Sequence, residues 1–389
     1  MQTNVNNYYE LLSLGLGQGN KGWQEFVDHF KEKYNEPQTA GFVFDNEIQL
    51  DYTYQQLQVD LNIATLPVYM DPDAEALDKK RGSFAINMGS IPTQKHRYNI
   101  DTRILREKMI LAQKFGSVGD EAKDAILNLL YDSTDKLIQG NRNALTHQRM
   151  QVVSTGKFTI GADNNPRGIT GVTLDFGAKE LTANAGTSRW WSTATHTPAN
   201  EGAASDPIGE IKAQLRTFRA LGYPDMQVEM SQVLFDDLLG HTKVQASIGF
   251  IANPMAADSA AAAAFAIRLS DEDAKAYMEK AIGCPIKVWD TMAKAEAFDA
   301  SSKDLKTVDV TNFEPKNIAY VPQGQIGTIK SVQQIVIADD PTTRVAWFDG
   351  GRTLISQAFD KNTAYITSEM AMLTVPNMPQ YMSYKTVTA

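Results

Sequence analysis

Five histidines, one cysteine and a few runs of acids are the residues of this 389-residue chain that could carry chemistry. His29, His96, His147, His196 and His241 include no pair at the i, i+4 spacing of an HExxH helix, which excludes that class of metalloprotease. Cys284 stands alone, so an intrachain disulfide, a multi-thiolate zinc site and a CxxC redox pair are all excluded. It precedes Pro285 and a strand-like run and reads as a small buried residue in a reducing compartment. Asp236-Asp237, Asp271-Glu272-Asp273 and Asp339-Asp340 could bind a divalent cation, but helix first turns and solvated loops account for them more simply. No GxSxG elbow is present, and no spacing brings a Ser-His-Asp triad together. Gly15-Leu16-Gly17-Gln18-Gly19 lacks a preceding strand, the GxGxxG spacing and a GKS/T, and reads as a flexible joint. Trp190-Trp191, adjacent in a loop, could stack on a sugar or base; the simpler reading is that they pin the loop to the body.

With no catalytic or cofactor constellation, the elements themselves carry the information. The chain is 43% hydrophobic and 21% charged, the balance of a globular protein of two or three domains. It has no apolar run of about 18 residues, and its first ten residues lack the basic-then-apolar pattern of a secretory signal. A polar helix is expected at Asn7–Leu14, and Trp23, Phe26, Val27 and Phe30 predict a second over Lys21–Tyr34. Strand-like pieces at Gln58–Ile63, Phe84–Met88 and His96–Ile100, separated by Pro, Gly and Asp clusters, predict a projecting hairpin. The longest helical pattern runs from Asp120 to about Val153, some 50 Å if unbroken, with Gly140 as a candidate kink. Lys157–Gly161 and Val172–Phe176 alternate as a hairpin around Asn164-Asn165-Pro166-Arg167-Gly168.

From Asp206 the pattern becomes mixed α/β. Helices are expected at Pro207–Leu221, Ser231–Leu239 (closed by Gly240), Ala256–Ala266 and Asp271–Ala281. Strands are expected at Gln227–Met230, Ile286–Trp289, Asn317–Val321, Gln334–Ala338 and Thr343–Phe348. Asp349-Gly350-Gly351-Arg352 reads as a turn, followed by a long strand at Asn362–Val375 and a last segment, Tyr381–Thr388.

Charge is unevenly placed. Lys79, Lys80, Arg81, Lys95, Arg97, Arg103, Arg106 and Lys108 are opposed only by Asp101 and Glu107. This stretch is therefore +6, and the rest of the chain, whose total is −9, carries −15. A dedicated DNA-binding domain would show an overall basic excess, which is absent. The basic stretch is either a solvated loop or an arm that lies on an acidic surface such as a neighbouring copy.

Several stretches together resemble one known family. Arg149-Met150-Gln151-Val152-Val153-Ser154-Thr155-Gly156-Lys157-Phe158-Thr159-Ile160 looks like its helix end, TGK step and strand. Val172–Gly177, Trp190-Trp191, Ser205–Ile211, Ala371–Pro376 and Tyr381–Tyr384 follow in the family's order. The chain resembles the major capsid proteins of tailed bacteriophages with the Hong Kong ninety-seven (HK-type) capsid fold, and within them the phage lambda-like capsid protein E family. The likeness spans roughly Lys79 to the C-terminus in short motifs.

The resemblance implies an α+β, HK-type fold. Residues 1–50 would form an N-arm and 51–108 an E-loop region. Residues 109–205 with 351–389 would form a peripheral domain with a spine helix, and 206–350 an axial domain. It implies no enzyme and no cofactor or metal. Pentamers and hexamers would close an icosahedral shell around double-stranded DNA held without sequence specificity. Scaffolding, portal and decoration proteins would be partners, a membrane would not, and the virion, assembled in the bacterial cytoplasm, would be the location. Lys79, Lys80, Arg81, Lys95 and Arg97 are the expected intersubunit contacts. Two other readings stand beside it: an encapsulin-like shell with protein cargo, and a soluble enzyme or carbohydrate-binding module using Trp190-Trp191.

Overall fold

A computed structural model describes residues 19–34, 41–59, 84–101, 103, 107, 120–183, 186–193, 196–299, 304–336, 343–359 and 363–387. The expected helix at Asn7–Leu14 and the basic residues Lys79, Lys80, Arg81, Arg106 and Lys108 lie outside them. In chain order the first elements are α1 (Gly19–Lys33), β1 (Phe42–Phe44), β2 (Thr53–Val59), β3 (Phe84–Ser90), β4 (Thr93–Asp101) and α2 (Asp120–Thr155). Next come β5 (Lys157–Ile160), β6 (Val172–Asp175), β7 (Lys179–Glu180), α3 (Pro207–Ala220), β8 (Met226–Ser231), α4 (Gln232–Gly240) and α5 (Thr242–Ala252). After these lie α6 (Ser259–Ala266), α7 (Asp271–Ile282), β9 (Ile286–Trp289), β10 (Met292–Asp299), β11 (Asp304–Thr311) and β12 (Asn317–Pro322). The last strands are β13 (Gly327–Ser331), β14 (Thr343–Phe348), β15 (Thr353–Phe359), β16 (Thr363–Pro376) and β17 (Ser383–Thr386). The mixed helix-and-strand class expected from the sequence is the one observed.

The chain forms two compact units. The first holds residues 1–54, 88–146 and 328–375. Its six-stranded sheet runs β1-β13-β16-β15-β14, with β4 also paired to β16. Trp23, Val27 and Phe30 of α1 and Leu130, Leu137 and Ile138 of α2 bury against Ile355, Ile366, Ala346 and Phe348 of the sheet. Each such side chain contributes about 1.5–3 kcal/mol by leaving water. The Trp23 indole N–H donates to the Ile355 carbonyl at 3.0 Å. Helix α1 also covers the open edge of β14: Asn20 Oδ1 accepts from the Val345 N–H at 3.0 Å and Gln24 Oε1 from the Trp347 N–H at 2.8 Å. Amides four residues apart on a helix face thus satisfy an edge that would otherwise invite another strand.

Helix α2 is continuous through Gly140 for 36 residues, about 54 Å. The expected kink is absent. A Cβ on Gly140 would stand 2.7 Å from Cε1 of His96, so the glycine makes room for a β4 side chain. The Asp349 turn is held to α2 by Arg142, 2.6 Å from the Asp349 carboxylate, and Asp349, Gly350 and Gly351 all have positive φ.

The second unit holds residues 55–87, 147–327 and 376–389. Its five-stranded sheet runs β7-β17-β12-β8-β9. Helix α3 starts as expected, with Asp206 accepting from the Gly209 N–H at 3.1 Å and Pro207 in the first turn. Helix α4 does not end on a left-handed glycine: its C-cap is His241 in extended conformation, which also N-caps α5. Helix α6 starts at Ser259, three residues later than expected, because Asp258 caps it. Helix α5 was not expected, since its β-branched residues and Gly249 lower helix propensity. Gly249 is needed there: a Cβ would stand 1.9 Å from the Ala262 carbonyl oxygen of α6.

The strand expected at Gln334–Ala338 is replaced by β13, while residues 333–336 form no strand and 337–342 lie outside the described residues. Ile329 and Val332 are buried whereas Ile335 is 69% exposed, so packing outweighs the β-propensity of the later run.

Candidate assembly surfaces

Strand β4 carries two of the residues singled out for contact. Its pairing with β16 sets Lys95 opposite Glu369, His96 opposite Ser368 and Arg97 opposite Thr367. Successive side chains point to opposite faces. His96 accordingly turns to α2, where its Nε2 lies 2.9 Å from Asn141 Oδ1, and Asn141 Nδ2 donates to Ser368 Oγ at 2.7 Å. Lys95 and Arg97 share the other face: Lys95 pairs with Glu369 at 2.6 Å and Arg97 lies 4.9 Å from the Tyr365 ring centroid. The Lys95 side chain is 57% exposed, so this pair holds it by under about 1 kcal/mol and leaves it free to exchange partners. Strands β2 and β3 pair as a two-stranded sheet; β2 reaches only the start of the strand expected at Gln58–Ile63, and residues 60–63, like Lys79, Lys80 and Arg81 between the two strands in sequence, lie outside the described residues.

The fold does bring one Ser-His-acid grouping together, which no spacing in the sequence reveals. Ser205 Oγ is 3.0 Å from His241 Nε2, and His241 Nδ1 is 3.8 Å from Glu201. Its hydrogen bonds run the wrong way for catalysis. Nδ1 accepts from the Lys243 N–H at 3.3 Å, so Nε2 carries the proton and donates to Ser205, which donates to the Gly202 carbonyl at 2.7 Å. A general base needs a free Nε2 lone pair facing the hydroxyl. Ser205 and His241 are both buried, and burial pushes the His241 pKa below its ordinary value, with Glu201 opposing. The group ties the 186–206 loop to the α4–α5 junction.

Trp190 and Trp191 anchor the same loop. Both are buried, at 0% and 1% exposure. Trp190 donates its indole N–H to Glu210 of α3 at 2.7 Å, and Trp191 stacks on His196 at 4.5 Å. With the indole N–H satisfied, the ring can enter the core whole. No open ring face is left for a sugar or base, so the ligand-stacking alternative is corrected.

Arg149, within the run that resembles the family's helix end, is 1% exposed at the end of α2. Its Nη2 donates to both oxygens of Glu229 at 2.9 Å. Glu229 lies on β8, opposite Ala319 of β12, and also accepts from Gln227 Nε2 at 2.8 Å and Trp289 Nε1 at 2.7 Å. The guanidinium sits 4.4 Å from the Trp289 ring centroid. One carboxylate thereby joins the helix end, the middle of the sheet and β9.

A second network holds the base of the β10–β11 hairpin. His147 Nδ1 donates to Asn312 Oδ1 at 2.9 Å, its Nε2 accepts from Asn164 Nδ2 at 3.3 Å, and Asn312 donates to Thr291 Oγ1 at 3.2 Å. Burial pushes the His147 pKa down, with the Asn312 bond opposing. The hairpin, which the sequence analysis missed, leaves Met292, Phe298, Leu305 and Val308 exposed, at 66%, 62%, 52% and 38%. Alternation in Met292–Asp299 was the available signal, weakened by three alanines, which are poor strand formers.

No family model matches this chain, and no curated protein does. Solved structures do. A candidate prophage capsid protein from E. coli aligns at 11% identity over 95% of this chain and 99% of that one, with a TM-score of 0.49. A phage-related protein from Bordetella bronchiseptica aligns at 11% identity over 93% of this chain and 96% of that one, TM-score 0.46. The capsid of a Myoviridae phage aligns at 12% identity over 89% and 90%, TM-score 0.44. These neighbours are described as phage-related or capsid proteins, and the similarity runs along most of this chain.

Proposed function

We propose that this chain is a structural, self-assembling protein: the major capsid protein of a lambda-like tailed phage. Pentamers and hexamers close an icosahedral shell around double-stranded DNA, assembled in the bacterial cytoplasm with scaffolding, portal and decoration proteins. Residues 206–350 form the axial region, 109–205 with 351–389 the peripheral region, and 51–108 an arm laid over the next copy. Lys79, Lys80, Arg81, Lys95 and Arg97 are its charge contacts.

The observation that supports this most is the pairing of β16, near the end of the chain, with β4 over the nine positions from Thr363↔Asp101 to Ala371↔Thr93. It roots the strand that leaves the basic hairpin in the same sheet that the long helix backs. An arm that must hold a neighbour needs such a rigid root. The charge asymmetry, +6 over residues 79–108 against −15 in the rest of the chain, sets the register of copy on copy. Many such weak contacts, each subunit held by several, suffice for a closed shell.

Negative-stain electron microscopy beside light-scattering mass tests the reading. Closed shells, or pentamers and hexamers, are the expected result; a monomer or dimer under every condition overturns it. Lys80→Glu with Arg81→Glu should abolish shells while leaving the subunit folded. Nucleic acid inside purified shells separates a DNA container from one loaded with protein.

A further inference from the structure

The β10–β11 hairpin is the least explained surface of the second unit. Its two eight-residue strands pair only with each other among the described residues. A two-stranded sheet alone in water is marginal and gains stability from a third strand or a packed face. Four large apolar side chains nevertheless stand exposed on it.

The order of residues along β10 points to the partner. The register sets Met292, Lys294, Glu296 and Phe298 on one face, with Ala293, Ala295 and Ala297 on the other. Read outward from Ala295, the strand is complementary to itself. In an antiparallel pairing of two β10 strands about Ala295, Met292 meets Phe298 and Lys294 meets Glu296, each twice. Ala293 meets Ala297, and Ala295 meets its own copy. Facing residues of an antiparallel pair point to the same side, so every match is a true cross-strand neighbour. Two opposite-charge pairs and two apolar pairs fall in register, and the alanine face has no bulk to clash. Asp309 of β11 lies opposite Lys294 within the hairpin. Arg167 approaches Glu296 at 3.4 Å, with both side chains more than half exposed, so that bond is weak enough to yield.

We propose that the outer edge of β10 is a two-fold contact: it pairs antiparallel with the same edge of a second copy of this chain, centred on Ala295, to make one four-stranded sheet. An isologous contact of this kind joins just two chains. The contact is argued from the strand itself and does not rest on the capsid reading.

Cysteine cross-linking of the full chain tests it. Facing Cα atoms lie about 4.5–5.5 Å apart, inside the disulfide range of about 4.4–6.8 Å. Ala295→Cys should give a covalent dimer under mild oxidation. Ala293→Cys, which faces Ala297, should give at least tenfold less. Lys294→Glu on the Ala295→Cys chain should cut the dimer at least fivefold, and adding Glu296→Lys should restore it. No dimer from Ala295→Cys, in soluble protein or in shells, overturns the contact. Equal dimer from Ala293→Cys overturns its register, and capture of a different protein at position 295 overturns the choice of partner. Shells without the cross-link remove this contact and keep the capsid reading; the cross-linked dimer from a chain that never forms shells does the reverse.

Discussion

Breaking the Arg149–Glu229 pair should cost more than removing it. Both side chains are almost wholly buried, at 1% and 0% exposure. Arg149→Ala leaves the Glu229 carboxylate in the sheet with only the Gln227 and Trp289 donors. Glu229→Gln leaves a buried guanidinium facing an amide. Removing one partner of a buried pair costs about 3–5 kcal/mol, a large share of a total stability of about 5–15 kcal/mol. Arg149→Met combined with Glu229→Gln removes both charges; Trp289 and Gln227 bond to different oxygens of Glu229, so the new amide keeps one of the two bonds in the single and the double variant alike. The double variant should therefore be more stable than Glu229→Gln alone, by about 2 kcal/mol or more. Urea unfolding followed by tryptophan fluorescence reads this, because Trp190, Trp191 and Trp289 all belong to this unit. Raising salt from 0.1 to 0.5 M should leave the difference unchanged, since screening acts weakly on buried pairs. Additive losses in the double variant would refute the account of an uncompensated charge.

Gly140→Ala should destabilise by about 1–2 kcal/mol although alanine gains about 1 kcal/mol in helix propensity, because the Cβ meets His96; His96→Ala in the same chain should turn the loss into a gain, read by thermal melting. His147 and His241 both have pKa values pushed below the ordinary 6.5 by burial, so the unfolded chain takes up protons first as pH falls. Stability is then complete above about pH 6.5 and declines below it, by up to about 1.4 kcal/mol per pH unit for each histidine, and His147→Gln should flatten the slope. The Cys284 thiol, which donates to the Met226 carbonyl at 3.2 Å, is pushed up to about 11 by burial. At pH 8 about one part in a thousand is thiolate, so Ellman's reagent should react at full rate only after unfolding.

What the sequence made legible follows from where the information is local. Helix α1, the β5–β6 hairpin, the capped start of α3, and β9, β12 and β14 were each expected within a few residues. Their signals, an apolar stripe, an Asn-Pro-Arg-Gly turn or an Asp-Pro cap, lie inside the element. The errors arise where a distant residue decides. Gly140 looks like a break until His96, 44 positions earlier in the chain, is seen to occupy the space beside it. Gln334–Ala338 has the composition of a strand, but it is β13, just before it in the chain, that lies beside β16.

The chemically active residues show the same division more sharply. Counting cysteines and histidine spacings excluded whole classes of site, because a metal or a redox pair needs particular residues whatever the fold. It could not reveal Ser205, His241 and Glu201 meeting, since the serine and the histidine are 36 positions apart, with two helices and a strand between them. Nor could proximity alone have settled what that meeting means. The direction of the proton decides it: the Lys243 amide N–H fixes Nδ1 as acceptor, so Nε2 donates. A backbone hydrogen bond at a helix start thus separates a structural clamp from a nucleophile.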